Sequence, residues 1–178
     1  MNLFIFILDG FCAGITVILG QFYGSGDRKK YREEVFTALL LGMIIALIIS
    51  GVCTVFLNPI LNLIHTPDEL IPYAESYLFI ILAGLPFTCL YNLLSGILRS
   101  IGNTRVALSF LAAAITMNIA LDFLFIGILR LGTGGAAAAT ILSQFFSAIC
   151  CFLYLRDTYP GLLCRREDIG AHKDLMIH

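Results

Sequence analysis

VALSFLAAAITMNIALDFLFIGIL, Val106 to Leu129, is the stretch on which the fold of this chain turns. It is apolar over the length a helix needs to cross a hydrocarbon core of about 30 Å. Inside it stand a carboxylate, Asp122, and an amide, Asn118. They are four residues apart, about one helical turn, so both lie on one helix face. A carboxylate at that depth costs roughly 2.5–3.5 kcal/mol on insertion scales and faces protein or water rather than lipid. Carboxylate and amide oxygens on one face suit a hard cation such as Na⁺. The same carboxylate, desolvated, can carry a proton instead.

Composition generalises this reading. Of 178 residues, 59% are hydrophobic and 13% charged, and the mean hydropathy is +0.93. Soluble domains carry about 25% charged residues, so the chain reads as an all-α integral membrane protein. The net charge of −1 decides little, because the charges sit in short segments. No basic patch interleaved with aromatics points to nucleic acid. Cys12, Cys53, Cys89, Cys150 and Cys151 fall in apolar stretches and Cys164 in a polar one, with no C-x-x-C among them. They read as small packing residues rather than disulfides or metal ligands. His65, His172 and His178 lack metal-ligand spacing. The first apolar segment has no positive leader and is too long for a signal-peptide core.

Five stretches are long enough to span: approximately 3–23, 36–57, 77–98, 106–129 and 133–155. Each ends at a physical stop: Gly24-Ser25-Gly26-Asp27, Asn58-Pro59 with Thr66-Pro67-Asp68, Ile101-Gly102-Asn103, and Gly132-Thr133-Gly134-Gly135. Residues 1–156 are expected to form the membrane bundle and 157–178 a cytoplasmic linker. Ten of the eleven basic residues fall in the loops after spans one, three and five or flank them; Arg130 alone falls on the other side. The positive-inside rule places those loops in the cytoplasm. Met1 is then outside and His178 cytoplasmic, in a multi-pass protein of the plasma membrane. An uncharged first span entering from outside, with ends on opposite faces, is expected of a fragment that one further span precedes. The polar tail from Arg165 fits truncation there too.

Several features bear on packing and on the polar interior. Gly10 with Gly14, and Gly20 with Gly24, form two G-x-x-x-G pairs, and Gly134 to Ala139 open span five with small residues. Such residues let helices approach closely in lipid. Pro86 lies mid-span and removes one helical hydrogen bond; a kink is expected, with a neighbour satisfying the freed carbonyl. Thr140 is seven residues into span five and Asp122 eight before Arg130, about 10 and 12 Å. Antiparallel neighbours bring them to one level, with Asn118 one turn deeper. Asn92 and Gln144 can line a cavity or join a network. Asp9 reads as lying near the outer end, where it meets water.

In order along the chain, GQFYGSGD (20–27), Tyr91-Asn92 with ILRSIGNT (97–104), NIALD (118–122), and GGAAAAT (134–140) with Gln144 resemble successive motifs of the MATE (multidrug and toxic compound extrusion) transporters. The resemblance covers nearly the whole chain. It implies that the five spans are family helices two to six, forming most of one six-helix bundle, the N-terminal lobe. The family's first helix and second lobe are missing. Members export organic cations or amphiphilic drugs in exchange for Na⁺ or H⁺ by alternating access. In the family's first lobe a cation site uses an Asn and an Asp of helix five, a Thr of helix six and an Asp of helix one. Asn118, Asp122 and Thr140 match the first three, and Asn92 matches an Asn of helix four placed in the same network. No other cofactor or metal is implied. The partners implied are the lipid bilayer, small-molecule drugs or organic cations, and the missing parts of the same transporter.

Two other readings compete. Related exporters of similar fold flip lipid-linked sugars, but line their cavity with many basic residues, which these spans largely lack. A non-transporting remnant or assembly subunit would need a partner bundle. No nucleophile–base pair, metal triad or phosphate loop suggests an enzyme.

Overall fold

Each apolar run becomes a helix because in lipid its backbone must satisfy its own hydrogen bonds. The computed structural model describes residues 2–57, 59, 61 and 70–162, with backbone alone for 2–7. Helix α1 runs Asn2–Gly24, α2 Arg28–Val55, α3 Ile71–Ser100, α4 Thr104–Asp122 and α5 Gly132–Thr158. A π-helical segment, Phe123–Ile128, continues α4. Among the described residues there is no strand. Four helical segments are long and apolar enough to cross a membrane by length and composition: α2, α3, α4 with its π continuation, and α5. Helix α1 matches the first expected span. Asn58, Thr66-Pro67-Asp68 and most of the expected linker, with Arg165, Arg166 and Lys173, lie outside the described residues.

The stops work through backbone chemistry. Asp27 caps α2, its carboxylate accepting from the Lys30 N–H at 3.1 Å. Helix α2 therefore begins eight residues before the expected span, and its first turn carries the basic residues that the apolar run excludes. Between α3 and α4, Asn103 N–H donates to Leu98 C=O at 2.9 Å and Gly102 N–H to Arg99 C=O at 3.0 Å. This is a Schellman cap, and it needs the φ of +82° that Gly102 adopts.

Helix α3 is the hub, packed against α1, α2 and α5. Half of its most apolar window is buried, against 6% for α4 with its π continuation. Helix α4 with its π continuation lies at the edge on α5 and turns Leu108, Ile115, Ile119 and Phe123 outward. Such a stripe suits contact with lipid or with further helices. Pro86 is buried inside α3. The hydrogen bond it removes would have ended on Leu82 C=O. Ser50 of α2 supplies the replacement, its hydroxyl donating to that carbonyl at 2.7 Å.

The close helix approaches occur at glycines other than those of the G-x-x-x-G pairs. A Cβ on Gly10, Gly14, Gly20 or Gly24 would meet nothing. A Cβ on Gly42, Gly84 or Gly96 would collide with Leu93, Ile141 or Thr16 respectively. The motif pairs lie on open faces of α1, so spacing alone does not locate the contacts. Gly134 does sit in contact range of Ser76 and Ile80, which brings the start of α5 onto α3.

Candidate functional site

The polar residues of the apolar helices gather into three groups. The first joins α4 and α5. Asn118 Nδ2 donates to Thr140 Oγ1 at 3.3 Å, and the Thr140 hydroxyl donates to Ala136 C=O at 3.0 Å. Counting residues puts Asp122 level with Thr140 and Asn118 one turn deeper, whereas the contact to Thr140 is made by Asn118. Asp122 comes one turn after Asn118, at the last residue of α4. Its Oδ1 is buried and has no hydrogen-bond partner among the described residues. A buried acceptor of this strength calls for a donor or a cation. The carboxylate, the Asn118 carbonyl oxygen and the Thr140 hydroxyl are hard oxygen donors, so the residues present fit Na⁺, or a proton on Asp122 itself. The π-helical segment starts immediately after Asp122. Such segments occur frequently at functional sites.

The second group joins α3 and α5. Thr88 donates to Gln144 Oε1. Gln144 is therefore tied to α3 and does not join the Asn118 contact. The third group joins α1 and α3. Asn92 Nδ2 donates to Asp9 Oδ1 at 2.7 Å. The two line a cavity of about 300 Å³ with Cys12, Ala13 and Arg99. Asn92 lines this cavity, and its side-chain partner is Asp9.

Asp9 is the residue that sequence reasoning undervalues. Counting along the chain puts it near the outer end of its span and Asn92 toward the inner half, yet the two touch. Further along, Thr16 of α1 lies against Gly96 of α3. Seven residues of α1 are thus matched by four of α3, about 10 Å against 6 Å of helix. The helices cross out of step, and depth counted along one does not carry to the other. The signal that points to Asp9 is its insertion cost. Thr88 carries a weaker one, four residues before Asn92 and hence on its face.

Along α4 and α5 runs an open apolar groove of about 480 Å³, lined by Phe110, Met117, Ala120 and Phe146 among others and by none of Asn118, Asp122 and Thr140. Among the described residues no group of three His, Cys, Asp or Glu side chains could hold a transition metal.

Known proteins share this arrangement of helices. The family profile MatE matches residues 1–124. A Bacillus subtilis (strain 168) protein described as a probable multidrug resistance protein, YpnP, is 40% identical over 130 residues, 71% of this chain and 28% of its own length. Two structures of a multidrug resistance MATE family transporter of the MOP superfamily, one inward-facing and one outward-facing, are each 25% identical. Both superpose with a TM-score of 0.80, over 92% and 91% of this chain and 39% and 38% of theirs. The chain spans roughly a third of the length of the relatives it matches.

Proposed function

Because this chain belongs to the MatE family, we propose that it forms most of the first lobe of a multidrug exporter driven by Na⁺ or H⁺. The observation that carries the reading is the buried, unpartnered Asp122 Oδ1 beside the Asn118–Thr140 contact. Asp122, Asn118 and Thr140 would hold the coupling ion, which supplies the positive charge the carboxylate lacks. Asn118 and Thr140 fix each other across α4 and α5, so a change in the charge of Asp122 acts on the packing of both helices. The open apolar groove along the same two helices fits the hydrophobic part of an amphiphilic cation. Ion and drug need only bind two states of the bundle differently for one to drive the other.

Equal likeness to an inward- and an outward-facing transporter supports a lobe that moves as one body. In this reading the protein is a carrier in the cytoplasmic membrane, with the turn after α1 in the cytoplasm, and catalyses no covalent reaction. Drugs, lipid and a second lobe are its partners.

The test is co-expression of this chain with a second-lobe segment, then measurement of ion-dependent drug export from vesicles. Export in the pair, lost on Asp122→Asn, is expected; that substitution keeps the shape and removes the charge. Ion-coupled export that survives Asp122→Asn would overturn the site. No export from a correctly inserted pair would favour the non-transporting subunit.

A further inference from the structure

Asp9 and Asn92 make a contact that the Asp122 group does not use. The 2.7 Å distance from Asn92 Nδ2 to Asp9 Oδ1 lies in the range of charge-assisted hydrogen bonds. Their cavity of about 300 Å³ is polar and has room for water, whose share of liquid volume is about 30 Å³. The groups facing Asp9 are few. On α1 the next turn carries Cys12, which packs with Cys89 of α3 in an otherwise apolar cluster. Helix α2 brings Ile45, Ala46 and Ile49 to that cluster and no charged group among the described residues. Helix α3 brings Asn92 and, seven residues on, Arg99 into the same cavity.

An amide suits a carboxyl group that changes charge in place. Its NH₂ donates to a carboxylate, and its carbonyl oxygen accepts from a carboxylic O–H. Half a turn about the last side-chain torsion exchanges the two. A cationic partner would satisfy only the ionised form, and an apolar neighbour only the neutral one. Arg99 lines the same cavity, and water there would supply and receive the proton. Asp9 is also on an open face of α1. A carboxylate on a spanning helix faces protein or water rather than lipid, so this face borders a hydrated space in the assembled membrane protein.

We infer that Asp9 is a second proton-binding carboxylate of the bundle, separate from Asp122, and that Asn92 is its positioning residue in both charge states. The inference goes beyond the proposed function and does not require Asp122 to bind an ion.

The experiment is infrared difference spectroscopy across a pH titration, on the full chain in lipid nanodiscs with ¹³C-labelled aspartate. The protonated-carboxyl band of Asp9 is expected to vanish in Asp9→Asn and to persist in Asp122→Asn. Because the amide's bond to the carboxylate is charge-assisted and the stronger of its two bonds, Asn92→Leu should raise the midpoint by about one pH unit, tenfold in proton affinity. Asn92→Gln, which keeps an amide, should restore much of the shift. Should Asp9→Asn not fold by circular dichroism, Asp9→Glu serves, because a glutamate band escapes the label. No band lost on either substitution, or a midpoint indifferent to Asn92→Leu, overturns the inference. Unaltered export in Asp122→Asn would count against the proposed function and leave this result standing.

Discussion

Single residues in this bundle act through atoms that have no substitute. Ser50 is an example: its hydroxyl answers the Leu82 carbonyl that Pro86 leaves free. Ser50→Ala strands that carbonyl in an apolar layer, and a loss of about 1–3 kcal/mol is expected in reversible unfolding from detergent. Pro86→Ala restores the helical donor, so the double variant should recover part of the loss; strict additivity would refute the pairing. Gly96 is a second case. Its missing side chain is where Thr16 sits, and Gly96→Val should cost about 1–3 kcal/mol by overpacking. The same change at Gly14, which faces open space, should leave bundle stability nearly unaltered. Asp122 is the opposite kind of residue: its buried Oδ1 has no hydrogen-bond partner among the described residues, and the coupling role proposed for it rests on that.

At the level of elements, the joint between α4 and α5 is decisive. The π-helical segment after Asp122 widens the helix for six residues. Deleting both Ile126 and Gly127 removes one residue more than a return to α-helical bonding absorbs, and should rotate the downstream chain by about 100°. The turn at Arg130, with its φ of +53°, would then present α5 to α4 on a different face. Cysteines placed at 118 and 140 should cross-link readily in the intact chain and poorly in the deletion, with Cys150 and Cys151 replaced to remove background. Equal cross-linking would mean that the π segment does not set the contact. Helix α3 behaves differently, because its burial by three neighbours leaves it little freedom. Thr88 to Gln144 and Asn92 to Asp9 both radiate from it, which makes it the fixed frame for the polar groups on either side.

For the whole molecule, orientation is the property still to be measured. The expected topology puts Ser25 on the cytoplasmic side and Thr133 outside. In oriented vesicles a membrane-impermeant thiol reagent should label Ser25→Cys from the cytoplasmic face only and Thr133→Cys from the outer face only. The reverse pattern would invert the assignment and exchange the sides from which Asp9 and Asp122 meet water. The exposed apolar stripe of α4 and the open small-residue face of α1 leave two long surfaces without a protein neighbour among the described residues. Cooperative stability of this chain should accordingly rise when a second-lobe segment is supplied.

Membrane spans were legible from the residues alone, because apolar length and backbone self-satisfaction are local properties of a helix. The closeness of the polar residues of α4 and α5 was legible too, since a short turn joins the two helices, but counting matched Thr140 to Asp122, one turn from the Asn118 that touches it. The resemblance to a transporter family was legible for a related reason: its motifs lie at helix ends and polar positions that the chain order preserves. Other features depended on distant parts of the chain. The pairing of Asp9 with Asn92, the placing of Ser50 on the Pro86 carbonyl and the choice of Gly42, Gly84 and Gly96 over the G-x-x-x-G pairs all join residues far apart in sequence. The angle at which helices cross sets such contacts, and that angle emerges only when every side chain has been packed. The one-residue widening after Asp122 belongs with them, because an apolar run reads the same whether its helix is α or π.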